Sequence, residues 1–189
     1  MALHRILPDT NVCYPISLLD LLLRLDEASL HEILWPEDLL AELSATWVSH
    51  GLRSFAAAER ICDAIRTTFR GQDVPRAEYA GLIAAMPGAD PDDHAHAAAA
   101  VARSPATILT HNVRHFPATP LARCGVTVLR PDEYLAELAT AHADEIAAVV
   151  TQMAADRRRP SMSVDEVLRA LGRAGVPRFA LHMRTRLLP

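Results

Sequence analysis

The chain has 189 residues, half of them hydrophobic, and a formal net charge of −4. That length fits one domain, with room for a small appendage, and the negative charge argues against a protein that coats nucleic acid by bulk attraction, though not against a nuclease with acidic metal ligands. No uninterrupted apolar run approaches the roughly 20 residues that span a bilayer, and Cys13, Cys62 and Cys124 are too few and too scattered for a disulfide framework or a zinc ribbon.

In chain order, Leu3 to Pro8 reads as a first strand and not as a secretory leader, so a cytoplasmic location is expected. Tyr14 to Asp26 is a helix with leucines all round, which predicts deep burial. His31 to Trp35 is a short strand. Pro36 suits a first helical turn, with Glu37 and Asp38 at the positive end of the dipole, so a helix runs from Glu37 to Ser49. A further helix spans Ser54 to Phe69, and residues 77 to 86 read equally as helix or strand. Asp92 or Asp93 opens an Ala-rich helix to about Ala102, in which positions 93, 96, 97 and 100 share a face. Thr107 to Thr110 and Val126 to Leu129 are strands. Pro131 starts a long helical stretch to about Ala155. Ser163 and Glu166 form a capping box for another, ending near Gly172 or Gly175, and Pro177 to Leu188 is a tail. Strands alternating with helices predict an α/β fold, a parallel sheet covered on both faces. The last thirty residues read as an appendage.

Polar clusters fall at the ends of three elements. Asp9-Thr10-Asn11 follows the first strand, Asp90-Pro91-Asp92-Asp93 opens the Ala-rich helix, and Thr110-His111-Asn112 closes a later strand. Carboxyl ends of parallel strands line one crevice, so these clusters can converge. Convergent carboxylates repel and are costly to bury without a cation, which points to a divalent metal and phosphate chemistry. Taken singly, each residue has a plainer reading: an aspartate before a helix is most often an N-cap, and Glu42 a solvated helix residue. Asn11 stands where an aspartyl-phosphate phosphatase would carry a second aspartate, and neither a serine-hydrolase elbow nor a phosphate loop occurs. His94, His96 and His111 fit no zinc spacing and read as surface or capping residues, although His96 shares a helical face with Asp93.

The stretches LPDTNVCYPISLLDLLLRL, PEDLLAEL, DPDDHAHAAAAVA and ILTHNVRHFP, in that order, resemble the PIN-domain family, specifically VapC-like toxin ribonucleases of toxin–antitoxin pairs. The resemblance covers roughly residues 3 to 135, and the helical extension beyond looks like one subgroup. It implies a PIN-like three-layer α/β/α nuclease domain over 1–135 and a C-terminal helical extension over 136–189. The implied activity is metal-dependent endoribonuclease cleavage with Mg²⁺ or Mn²⁺, and the implied partners are RNA, a cognate antitoxin and a second copy of the chain, with no membrane. Asp9, Glu42 and Asp93 match the family's catalytic acids, with Asp92 or Asp90 as alternatives to Asp93. Thr10, Asn11, Thr110 and Asn112 match its supporting polar positions. The segment departs from the family at His115, where an aspartate is usual. That histidine either faces solvent, ligates the metal in a mixed carboxylate–imidazole site, or marks a weak or inactive module that binds RNA or a partner protein without cleavage. Arg114 and the run Arg157-Arg158-Arg159 are candidate RNA contacts; the run also reads as a solvated helix end. All 19 basic residues are arginine, which suits bidentate phosphate contact but follows more simply from a GC-rich genome.

Overall fold

The computed structural model describes residues 3–158 and 160–188. Its centre is a four-stranded parallel sheet in the order β2-β1-β5-β6, formed by β1 (Arg5–Pro8), β2 (Glu32–Ile33), β5 (Ala106–Leu109) and β6 (Val126–Leu129). A second parallel pair joins β3 (Trp35–Pro36) to β4 (Asp73–Val74). Residues 31 to 35, read as one strand, therefore serve two sheets. Ile33 pairs with Ile6, and two residues later Trp35 pairs with Asp73.

Successive side chains in a strand point to opposite faces, and here each face has its own core. Ile6 and Leu109 belong to the larger cluster; Leu7, Ala106 and Ile108 belong to the smaller one. Helices cover both faces, giving the three-layer α/β/α arrangement expected. Because β1 and β2 continue one way across the sheet while β5 and β6 lie the other way, the topology reverses between β1 and β5. In open α/β sheets that reversal leaves a crevice at the strand carboxyl ends.

The helices are α1 (Thr10–Cys13), α2 (Ile16–Glu27), α3 (Glu37–Ser49), α4 (Phe55–Thr68), α5 (Arg76–Tyr79), α6 (His94–Ala102), α7 (Ala118–Arg123), α8 (Pro131–Ala141), α9 (Ala143–Asp156), α10 (Val164–Arg173) and α11 (Pro177–Leu187). The ambiguous segment 77–86 is helical: α5 runs into a 3₁₀ stretch at Ala80–Ala85. Alanines 97 to 100 are fully buried, and their small size lets α6 lie close on the sheet.

Two expectations are corrected. The long helical stretch from Pro131 is broken at His142, whose φ of −131° and ψ of 46° leave helical space. No proline or glycine causes the break. At the break α8 packs mainly on α11, while α9 packs mainly on α2 and α10. Nor are the last thirty residues an appendage. Val167, Leu168, Leu171, Phe179 and Met183 are buried in the same cluster as Leu18, Leu22 and Leu25 of α2. The capping box forms as predicted: Glu166 N–H donates to Ser163 Oγ at 3.3 Å, and Ser163 N–H donates to Glu166 Oε2 at 2.8 Å.

Candidate active site

Asp9 leaves β1 as the N-cap of α1, with extended backbone. Its N–H donates to Leu109 O at 2.8 Å, tying it to the exit of β5 at the topological reversal. Both carboxylate oxygens are engaged. Oδ1 accepts from Thr10 N–H at 2.7 Å; Oδ2 accepts from the Thr110 hydroxyl at 2.7 Å and from the Asn11 amide. Asn11 Oδ1 in turn accepts from His111 N–H at 3.1 Å, and Thr110 Oγ1 accepts from Asn112 N–H at 3.0 Å. Of the four supporting polar residues, Asn11 and Thr110 act through side chains, and Thr10 and Asn112 through backbone amides.

Asp93 stands at the N-cap of α6, with Oδ2 accepting from His115 Nδ1–H at 2.9 Å. Asp90 Oδ2 lies 3.9 Å from the same nitrogen, and Asp92 lines the crevice from its exposed side. Glu42 faces them from α3 with its side chain half in solvent. Together with Asp9, Asn112 and His115, these carboxylates wall a crevice of about 460 Å³. His115 is therefore a crevice residue hydrogen-bonded to an acid, with its side chain still 30% exposed.

His96 is the larger correction. It is only 2% exposed, and both ring nitrogens face carboxylates. Nδ1 lies 3.5 Å from Asp9 Oδ1, and Nε2 lies 3.5 Å from Glu42 Oε2. Close packing of the alanine face against the sheet carries the position three residues after Asp93 underneath the crevice. The other two histidines do have structural partners: His94 Nε2–H donates to Gly88 O at 3.2 Å, and His111 packs against Gly175. Tyr14, Thr46 and His50 also line the crevice, and were not anticipated. Thr46 follows Glu42 by one helical turn and His50 by two, so a shared helix face was the available signal.

The electrostatics fit a cation site. Burial alone would raise the Asp9 carboxyl, but His96, the Thr110 hydroxyl and Thr10 N–H outweigh it and hold Asp9 below the usual carboxylate range. Burial would lower His96, but Asp9, Glu42 and Asp93 around it prevail and raise it. Asp93 is raised, first by burial and then by its neighbours Asp9 and Asp90, with His115 opposing. Ligand atoms of Asp9, Asp93 and His96 lie within 4.8 Å of one another, as do those of Asp90, Asp93 and His115, so Asp93 belongs to both sets. His96 Nδ1 is buried without a hydrogen-bond partner, a donor atom left for an occupant. Two carboxylates and an imidazole on this scale suit a divalent ion.

The arginines divide. Arg114 and Arg130 line a small cavity of about 280 Å³ beside the crevice, sharing Asn112 with it. Arg157 pairs with Asp20 at 3.0 Å, and Arg158 bridges locally to Ser161; neither lines the crevice. Arg159 lies outside the described residues. A larger groove of about 670 Å³ between α2 and α4 contains none of the acidic residues Asp9, Glu42 or Asp93.

A family model described as "VapC50 C-terminal domain" matches residues 131–185, from the start of α8 into the last turn of α11. The chain is 35% identical over 111 residues to the curated "Putative ribonuclease VapC50" of Mycobacterium tuberculosis, an alignment covering 59% of this chain and 64% of that protein. The chain thus spans less than two thirds of the length of that relative. No solved structure matches.

Proposed function

From the premise that this chain is a VapC-like PIN-domain protein with a VapC50-type C-terminal extension, we propose that it is a metal-dependent endoribonuclease and the toxin of a toxin–antitoxin pair. The observation that carries the reading is the convergence of Asp9, Asp93 and Glu42 on one crevice at the topological reversal of the sheet. We assign the nuclease chemistry to residues 1–135 and treat 136–189 as the extension.

Asp9 and Asp93 would hold a divalent ion, Mg²⁺ or Mn²⁺, with Glu42 completing the acidic wall. When bound, that ion acidifies water and neutralises charge on an RNA phosphodiester. The protein's own contribution is orientation. Thr110, Asn11 and Thr10 N–H fix both oxygens of Asp9, and His115 fixes Asp93, so the carboxylates need little reorganisation. Arg114 and Arg130 would take a flanking phosphate, offsetting the repulsion of RNA by the acidic crevice. By the same family reading, the partners are a cognate antitoxin covering the crevice and a second copy of the chain. Among the described residues no helix is long and apolar enough to cross a membrane.

Cleavage of total RNA in Mg²⁺ and in Mn²⁺, with Asp9→Asn as control, tests the proposal. Wild-type protein should cut only with metal present, and Asp9→Asn should lose about a hundredfold or more. Cleavage that survives Asp9→Asn would place the chemistry elsewhere. RNA binding without cleavage in either metal would favour the inactive-module reading, in which His115 has replaced a required acid.

A further inference from the structure

We infer that His96 is a direct nitrogen ligand of the divalent ion, through Nδ1, and that Glu42 acts as the carboxylate orienting this imidazole. The inference rests on the metal-site reading above and sharpens it.

Four observations converge. His96 is buried and its Nδ1 has no hydrogen-bond partner, although it faces Asp9 Oδ1 at 3.5 Å. A buried polar atom left unsatisfied costs about 1–3 kcal/mol, so such atoms persist where something else satisfies them. Asp93 and His96 stand one turn apart at the start of α6, the i, i+3 carboxylate–histidine pair by which a single helix presents two ligands to one ion. His96 offers a ring nitrogen to a set with Asp9 and Asp93 whose ligand atoms lie within 4.8 Å of one another, and Nδ1 is the nitrogen that faces Asp9. Finally, Nε2 points at Glu42 Oε2, 3.5 Å away, and metal-ligating histidines commonly donate their second ring N–H to a carboxylate. Glu42 itself is in neither ligand set, and its side chain is 52% exposed, which suits an orienting carboxylate better than a buried ligand.

The arrangement has a consequence for metal choice. Mg²⁺ takes oxygen ligands almost exclusively, whereas Mn²⁺ and later transition ions accept imidazole. The site should therefore bind Mn²⁺ more tightly than Mg²⁺. His96→Gln should weaken Mn²⁺ binding by about 10–100-fold, affect Mg²⁺ much less, and so narrow the preference. A purely structural role for His96 would weaken both ions alike.

The decisive measurement is pulsed EPR of the full chain loaded with Mn²⁺ alone. Nitrogen coupling from a directly bound imidazole is expected in the wild type and in His50→Gln/His115→Gln, which lacks the two histidines that line the crevice above His96. It should vanish in His96→Gln. If His96→Gln does not fold, the wild type and the double variant still decide. Stoichiometric Mn²⁺ binding without nitrogen coupling, or coupling lost in the double variant, overturns the inference while leaving the metal-dependent nuclease reading intact. Failure of Mn²⁺ to bind at all removes both.

Discussion

Asp9 is held at both oxygens, so its charge and direction are set before any ligand arrives. The weight falls on Thr110, fully buried, whose single hydroxyl donates to Asp9 Oδ2 and accepts from Asn112 N–H. Thr110→Val keeps the shape but removes one of the two donors to buried Asp9 Oδ2, which keeps Asn11, and takes the acceptor from Asn112 N–H. A loss of about 1–3 kcal/mol is expected by denaturant unfolding. Cleavage should fall by about tenfold as the carboxylate gains freedom to turn. Unchanged cleavage would show that Asn11 and Thr10 suffice to orient the acid. Asp9 and Asn11 stood out as a polar cluster at a strand exit, but an aspartate there is most often an N-cap, and only the motifs downstream gave the pair a further meaning. Thr110 was legible only through its resemblance to a family position, since its partner lies 101 residues away in the chain.

Among the elements, the join between α2, β2 and α8 depends on one neutral histidine. His31 is fully buried: Nε2–H donates to Leu22 O at 3.0 Å, and the Tyr134 hydroxyl donates to Nδ1 at 3.0 Å. Burial pushes its pKa down to about 4. The unfolded chain, with an ordinary histidine near 6.5, binds a proton across that window while the folded protein does not. Stability through this group is thus complete above about pH 6.5 and falls as the pH drops towards 4, by up to about 3 kcal/mol. Unfolding free energies measured from pH 7 to 4 should show a shallower decline in His31→Gln than in the wild type. Equal slopes would mean that His31 is protonated in the fold. The elements themselves were read with uneven success, for physical reasons. The bounds of α3 follow from Pro36 and the acidic first turn, and α10 from its capping box, because these signals are local. The break at His142 carries no such signal; α8 and α9 pack on different main neighbours on either side of it.

At the scale of the whole molecule, the C-terminal helices join the core and also touch the loop of the candidate site. Asp132 of α8 accepts from Arg178 and Phe179 N–H at 3.2 and 3.0 Å, capping α11. Gly175 ends the α10 turn with φ +98°, and a Cβ there would collide with the ring of His111. His111 lies between Thr110 and Asn112, so the extension supports the loop that holds Asp9. Gly175→Ala meets both a disfavoured backbone and the ring, and should cost at least about 1–2 kcal/mol. It should also lower cleavage, because the displaced ring belongs to that loop. Normal cleavage together with reduced stability would show that the loop holds its place without the extension.

The sequence by itself determined the alternation of strands and helices, the first acid at a strand exit, and a resemblance to one family, whose motifs recur in order. Those properties depend on neighbours along the chain, where period, caps and turn residues act directly. Only the tertiary structure decided that the final helices belong to the main core, that His115 binds Asp93, and that His96 lies buried between Asp9 and Glu42. The shared face of Asp93 and His96 was visible as a spacing. Whether it pointed to solvent or to the crevice depended on how α6 settles on the sheet and against α3, a choice made by packing of residues distant in sequence.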